Sequence, residues 1–194
     1  MTKIKGTTVL ITGGGSGIGE AMAYQYAKKG ANIILTGRRL EALETVQKRC
    51  IALGVNSWCR TVDMEKPETI DELAKWIYSE GHEIDHVLLN AGISQRSLTL
   101  ETDISVDRRL MEVNYFGGIY LVKALKEMGF TLALATNPIF PSIATEKRMG
   151  WAGLAPADCE LFTTYENSST GKPNPAYYRD VLEKIGCVPE ECAM

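Results

Sequence analysis

Tyr24 and Lys28 have the spacing of a proton-donating pair, because a tyrosine four residues before a lysine can donate a proton to a carbonyl. A proton donor must reach its substrate at the carboxyl side of a sheet. The pair instead falls on the first predicted helix, where roughly 100° per residue turns it away from the face of Ile18, Met22 and Tyr26. We interpret the pair as a coincidence on a helix surface.

A glycine-rich segment, TGGGSGIG from Thr12 to Gly19, follows a predicted strand and begins a predicted helix. Glycines let the backbone turn tightly and approach a pyrophosphate. The N-terminus of the helix supplies N–H groups and a dipole that favours negative charge. The segment is therefore a candidate phosphate-binding loop, and the alternative is that it is only a turn.

Two arginines follow the second predicted strand in the sequence TGRR. Gly37 stands where an acidic residue would bind a free ribose 2′-hydroxyl, and Arg38 and Arg39 come immediately after it. A guanidinium can make a forked, charge-assisted contact with a 2′-phosphate, which a carboxylate would repel. The pattern favours NADP over NAD. The alternative is that both arginines begin a helix in solvent.

The strands and helices that carry these residues are predicted from short apolar runs that alternate with helical periods. Strands that alternate with helices at this spacing are typical of right-handed crossovers in a parallel sheet. The sequence therefore predicts an α/β fold with a doubly wound, Rossmann-like parallel sheet and helices on both faces, in three layers. The predicted strands are TTVLIT, ANIILT, SWCRTV and HVLLN, and the helices start near Gly17 or are LEALETVQKRCIAL and PETIDELAKWIYSE.

The second half of the chain differs from the first in composition and in its pattern of predicted elements. A long helix is predicted from about Val106 to Met128, followed by a buried strand, FTLALAT. Residues 137–174 are rich in Pro, Gly, Ser and Thr, with one short strand, ELFTT, before a last helix, PAYYRDVLEKIG. We expect a single α/β domain over 1–194, with a dinucleotide-binding half at 1–123 and a second half at 124–194.

Four landmarks, in this order, resemble the short-chain dehydrogenase/reductase family over roughly residues 5 to 125. They are the Thr-Gly-x-x-x-Gly-x-Gly spacing, Asp63 after the third strand, NAG at 90–92 and Asn114 in VNYFG. By this resemblance Asp63 would meet the adenine and Asn90 would lie near the adenosine ribose, unless they are a surface aspartate and a capping side chain. The residues expected to bind the cofactor are Gly13, Gly15, Ser16, Gly17, Ile18, Gly19, Arg38, Arg39, Asp63, Asn90, Ala91 and Gly92.

The catalytic set of that family is incomplete in this sequence. In the family a serine orients the carbonyl and a tyrosine donates the proton, with its pKa lowered by a lysine four residues on. Tyr165, Tyr177 and Tyr178 are not followed by a lysine at that distance. Asn114 alone matches the set. The resemblance therefore implies NADP(H) binding with weak or absent hydride transfer to a small carbonyl or from an alcohol, and leaves open whether the chain is an enzyme.

A second resemblance covers roughly residues 124 to 194. LALATNPIFP, FTTYENS and GKPNPAYY resemble the middle of a haloacid-dehalogenase-like phosphohydrolase. Thr136 would then bind a phosphoryl oxygen and Lys172 would balance the charge of the nucleophile, yet the sequence has no Asp-x-Asp nucleophile motif. We interpret the chain as a chimera-like join of two fragments near 118–125. An incomplete phosphohydrolase and an inactive designed or recombined chimera are the alternatives.

Composition excludes several kinds of partner and site. A net charge of -3 without a basic block argues against nucleic acid and anionic membranes, and no apolar run reaches the roughly 18 residues of a membrane helix. We expect a cytoplasmic protein without a metal, whose oligomeric state the sequence leaves open. The cysteines lack paired spacing and are expected to be reduced: Cys50, Cys59, Cys159, Cys187 and Cys192.

Overall fold

The computed structural model describes residues 4–130 and 133–186, except for the side chain of Thr99. These residues form two compact units, which are described separately: residues 4–128 and residues 129–186.

The amino-terminal unit is a four-stranded sheet with the strand order β3-β2-β1-β4, and every pairing in it is parallel. Its register places Thr12 opposite Thr36 and Gly37 opposite Thr61, so the carboxyl ends of the strands meet at one edge. The elements are β1 (Thr8–Thr12), α1 (Gly17–Lys28), β2 (Asn32–Gly37), α2 (Leu40–Ala52), β3 (Ser57–Thr61), α3 (Pro67–Ser79), β4 (His86–Leu88), α4 (Ile104–Met111) and α5 (Gly117–Glu127).

Alternating strand residues build the core on both faces of this sheet. Ile11, Leu35 and their alternate neighbours are fully buried in one cluster with residues of α1 and α2. Leu10 and Ile34, one residue along each strand, are also fully buried and face the other side. Helix α3 packs against α5 and buries Ile70, Leu73 and Ile77. The predicted Rossmann-like parallel sheet flanked by helices is confirmed.

The buried face of α1 differs from the predicted one. Gly19, Ala23 and Ala27 are buried, whereas Ile18 is 73% exposed. The reason is the short distance between α1 and the sheet. Small residues let the helix lie close to the sheet, whereas larger side chains would hold the helix away from it. Our expectation that Ile18 belongs to the packed face was wrong.

The helix predicted without interruption from 106 to 128 is divided by a π-helical turn at Glu112–Phe116, between α4 and α5. The Gly117 N–H donates to the carbonyl of Glu112, five residues earlier. Such turns insert one residue into a helix and are frequent at functional sites. Here the turn contributes Val113 to the lining of a cavity, as described below.

The carboxy-terminal unit contains β5 (Ala133–Leu134), α6 (Ser142–Trp151), β6 (Leu161–Phe162) and α7 (Pro175–Ile185). β5 and β6 pair in parallel, and α7 buries Tyr177, Val181 and Leu182. Helix α6 lies in the segment where the sequence predicted only a short strand. Part of the predicted strand FTLALAT, residues 131 and 132, lies outside the described residues.

Cys50 and Cys59 have free thiols. Burial raises the pKa of the Cys50 thiol to about 11 and also raises the pKa of Cys59. Both are therefore poor nucleophiles at neutral pH. Cys187 and Cys192 lie outside the described residues. A separate finding concerns membranes: none of the helices described here has the length and apolarity needed to cross one.

Candidate functional site

The structure gives Tyr24 a structural role on α1. Its hydroxyl donates to Oε1 of Glu20 at 2.8 Å, and the guanidinium of Arg49 lies 4.7 Å from the centre of its ring. Burial and then the bond to Glu20 raise the pKa of Tyr24, while Lys28 is exposed. Because the Tyr24 hydroxyl is bonded to Glu20 and not to Lys28, the two residues do not form a proton-donating pair.

The glycine loop turns from β1 into α1 through two left-handed residues, Gly13 with φ of 66° and Gly17 with φ of 60°. Only glycine adopts this backbone at little cost. Gly19 meets a second demand, because a Cβ there would lie 2.3 Å from the carbonyl oxygen of Gly13 and 2.7 Å from Nδ2 of Asn90. Helix α1 therefore begins in direct contact with the loop and with the segment after β4.

Thr12 and Asn90 join the ends of β1 and β4. The buried Thr12 Oγ1 accepts from the N–H groups of Asn90 at 3.0 Å and Ala91 at 2.9 Å. Asn90 Nδ2 in turn donates to the Thr12 carbonyl at 3.1 Å. Asn90 thus bonds the end of β1 and holds the NAG segment at the carboxyl edge of the sheet.

A cavity of about 550 Å³ lies at this edge. It is in the position where open α/β sheets bind their ligands. It brings together ten of the twelve residues predicted to bind the cofactor, while Gly17 and Gly19 shape the loop behind it. The ten lining residues are Gly13, Gly15, Ser16, Ile18, Arg38, Arg39, Asp63, Asn90, Ala91 and Gly92.

Sequence reasoning missed most of the apolar wall of the cavity. These residues carry no reactive group, and the only available signal was that several stand at the ends of strands or just after them. The apolar lining residues are Ala42, Leu43, Val62, Met64, Ile93 and Val113, and Thr36 and Gly37 also line the cavity. The cavity therefore combines apolar and polar lining groups, as small-molecule sites do.

The rim carries both signs of charge. Arg38 and Arg39 are exposed, and Nη2 of Arg39 donates to the hydroxyl of Ser16 at 3.4 Å, which links the end of β2 to the glycine loop. Gly37 leaves the end of β2 without a carboxylate. Asp63 stands on the other wall, where its backbone N–H donates to Oγ1 of Thr69 at 3.0 Å. The positive charges of Arg38 and Arg39 therefore favour the binding of an anionic group on their side of the cavity.

Asn114 lies in the π-helical turn and is not among the residues that line the cavity. Its Nδ2 donates to the carbonyl of Ile93 at 2.8 Å, and its Oδ1 accepts from the N–H of Ile93 at 2.8 Å. Both functional groups of the amide therefore hold the backbone just after Gly92. In this structure Asn114 fixes the segment that follows β4.

Thr136 and Lys172 lie in the carboxy-terminal unit around one tyrosine. The hydroxyl of Tyr177 donates to the Thr136 carbonyl, and Nζ of Lys172 lies 6.0 Å from the centre of the Tyr177 ring. The N–H of Thr136 donates to Oγ1 of Thr163 at 2.9 Å. Within residues 4–130 and 133–186, no group of three or more His, Cys, Asp or Glu side chains is placed to hold a metal ion.

Residues 7–130 match the family model for the short chain dehydrogenase. The "Dehydrogenase/reductase SDR family protein 7-like" of Drosophila melanogaster is 37% identical over 127 residues, which is 63% of this chain and 39% of that protein. The human "Dehydrogenase/reductase SDR family member 7" is 36% identical over 121 residues, covering 60% of this chain and 36% of that protein. The chain thus spans well under half the length of these relatives.

Solved structures give the same result. L-sorbose reductase from Gluconobacter frateurii, complexed with NADPH and L-sorbose, matches with a TM-score of 0.60 and 27% identity over 69% of this chain and 53% of that one. NAD⁺-bound xylitol dehydrogenase matches with a TM-score of 0.61 and 25% identity over 65% of this chain and 49% of that one. None of these matches supports the predicted haloacid-dehalogenase-like fragment or a chimera. Because the family match extends over nearly the whole unit that carries the cavity, the chain belongs to the short-chain dehydrogenase family.

Proposed function

We propose that the amino-terminal unit binds NADP(H), and that the chain has weak or no oxidoreductase activity by itself. The observation that carries the proposal is the cavity, where the glycine loop, the two arginines and Asp63 meet at the carboxyl edge of the sheet. Of the two solved structures named above, one contains NADPH and the other NAD⁺, so membership of the family leaves the choice of cofactor open.

The preference for NADP rests on the end of β2. Arg38 and Arg39 are exposed there, Gly37 offers no carboxylate, and the Arg39 guanidinium already reaches Ser16 across the rim. A 2′-phosphate at this place would meet two cations and a hydroxyl, whereas a free 2′-hydroxyl would lack its usual carboxylate acceptor. Two guanidinium groups favour the phosphorylated cofactor.

The remaining residues hold and orient the cofactor. The loop from Gly13 to Gly19 offers backbone N–H groups and the positive end of α1 to a pyrophosphate. Asp63, which lines the cavity, would face the adenine, and the NAG segment, held by Thr12 and Asn114, would form the opposite wall. When bound, the nicotinamide would supply a hydride to a small carbonyl or accept one from an alcohol.

Replacing Arg38 by Asp is expected to weaken NADPH binding by about 1.5 to 3 kcal/mol, the scale of a charge-assisted contact, and to spare or improve NADH binding. That corresponds to roughly a 10- to 100-fold rise in Kd for NADPH. The measurement is a calorimetric titration of each cofactor into the wild type and the variant.

Lys48→Asp is the matched control for Arg38→Asp. It makes the same change of charge at an exposed residue in the second half of α2, which does not line the cavity. It should leave both Kd values within about twofold, since exposed charges beyond a Debye length of about 8 Å are largely screened. Equal losses for both cofactors in Arg38→Asp would show that Arg38 is structural and not selective.

For the carboxy-terminal unit we propose no hydrolytic activity. Thr136 and Lys172 share contacts with Tyr177, but the sequence lacks the Asp-x-Asp motif from which a phosphohydrolase of the resembled type draws its nucleophile. A hydroxyl and an ammonium without carboxylates have neither a nucleophile nor a metal to serve. The resemblance of residues 124–194 to that family stays a prediction.

A further inference from the structure

The beginning of α5 presses against the wall of the cavity that would face the adenine. A Cβ at Gly117 would lie 2.4 Å from the carbonyl oxygen of Met64, 2.8 Å from its Cβ and 3.2 Å from its carbonyl carbon. Two of these three atoms belong to the backbone, so no rotation of a side chain would relieve the contact. Met64 and the two residues before it, Val62 and Asp63, all line the cavity.

The wall segment is also held from its other sides. The N–H of Val62 donates to the Gly37 carbonyl at 2.9 Å. Thr69 Oγ1 accepts from the Asp63 N–H at 3.0 Å and donates to the Asp63 carbonyl at 2.9 Å. The sheet and α3 therefore hold this backbone in place. A side chain at Gly117 would have to displace or distort it against these hydrogen bonds.

We propose that Gly117 is a positioning residue for cofactor binding: its lack of a side chain lets α5 set the position of the Val62 to Met64 wall. The inference rests on the proposed NADP(H) binding and adds a residue outside the cavity to it. Non-bonded heavy atoms prefer separations of about 3.5 to 4 Å, so a methyl group at Gly117 would shift the wall by roughly 1 Å. The Asp63 carboxylate would move with it.

Gly117→Ala is expected to weaken NADPH binding by about 10- to 100-fold, the scale of a misplacement of roughly 1 Å. The matched control is Gly118→Ala, because a Cβ at Gly118 has its nearest neighbour, Cδ1 of Leu89, at an ordinary 3.7 Å. Both variants make the same change on the same helix. Gly118→Ala should leave the Kd within about twofold and leave or raise the melting temperature, since alanine favours a helix.

A purely structural role for Gly117 would lower stability without changing the selectivity for the base. The second readout is therefore the ratio of the Kd values for NADPH and its hypoxanthine analogue, in which a carbonyl replaces the 6-amino group. An ionised carboxylate accepts hydrogen bonds and cannot donate them, so the wild type should prefer adenine through Asp63. Gly117→Ala should lose most of that preference.

The outcomes separate this inference from the proposed function. A wild type that binds NADPH, with a folded Gly117→Ala variant that keeps both its affinity and its preference for adenine, overturns the inference alone. A wild type that does not bind NADPH overturns the proposed function and the inference with it. If Gly117→Ala does not fold, Thr69→Val loosens the same wall from the side of α3, and an unchanged preference for adenine in that variant overturns the inference.

Discussion

Reduction of ketones, aldehydes and quinones by this chain with bound NADPH is expected to be slow or undetectable. A positioned general acid accelerates such a reaction by about 10² to 10⁴, and a polarising hydroxyl at the carbonyl oxygen adds further stabilisation of charge. The sequence has one Tyr-x-x-x-Lys pair, Tyr24 and Lys28, and the structure holds Tyr24 on α1 with a raised pKa and a bond to Glu20. Binding the cofactor supplies a hydride but does not replace the missing proton donor.

Asn114 does not replace the acid either. Both groups of its amide bond to the backbone of Ile93, and an amide does not titrate near neutral pH. The assay is the oxidation of NADPH against a panel of carbonyl compounds. Turnover of order 1 per second, within the ordinary range of enzymes, would contradict the expectation. A Tyr24→Phe control should not alter the rate, because that phenol lies outside the cavity.

Gly19→Ala is expected to raise the Kd for NADPH by at least about 100-fold, because the backbone that it displaces is the phosphate-binding loop itself. A Cβ at Gly19 would lie 2.3 Å from the Gly13 carbonyl oxygen, far inside contact distance. Overpacking of this kind costs about 1 to 3 kcal/mol of stability. Natural domains of this size have about 5 to 15 kcal/mol, so the variant should still fold.

Urea unfolding and a cofactor titration on the same preparation test the Gly19 prediction. Unfolding monitored by circular dichroism shows whether the variant is folded, and the titration then reports the loss of affinity alone. Gly118→Ala serves again as the control, because its Cβ meets only ordinary contacts. A folded Gly19→Ala protein that binds NADPH as tightly as the wild type would show that the loop does not hold the cofactor.

The elements around the sheet could be predicted because their signals are local. Alternating apolar runs marked β1 to β4, and Pro67 with a periodic apolar face marked α3, which begins at that residue. The π-helical turn could not be read in this way. The turn accompanies two contacts, of Asn114 with Ile93 and of Gly117 with Met64. The residues of each pair are far apart in the sequence, so these contacts appear only in the folded unit.

Helix α6 was missed for a similar reason. The segment around it is rich in Pro, Gly, Ser and Thr, which locally favours turns. In the folded unit both carboxylate oxygens of Glu166 accept from the N–H of Ser142, at 3.1 and 2.9 Å, and so satisfy one N–H of the first turn of the helix. That partner is 24 residues away, and no local pattern indicates it.

The candidate site could be predicted in its polar half. Glycines, arginines and Asp63 have chemical meaning at strand ends, and the structure brings them to one cavity. Leu43, Val62, Met64 and Val113 lack such meaning, because an apolar side chain is equally suited to the core. They line the site because the fold brings α2, the segment after β3 and the π-helical turn together at the cavity.

A thermal melt with and without NADPH shows whether the cavity of the amino-terminal unit binds this cofactor. A ligand that binds only the native state stabilises it by about 2.7 kcal/mol at a concentration of 100 times Kd. For a chain of this size that is a rise in Tm of roughly 5 to 11 °C. We predict such a rise for the wild type. An unchanged Tm at millimolar NADPH, in protein shown to be folded, would contradict the account.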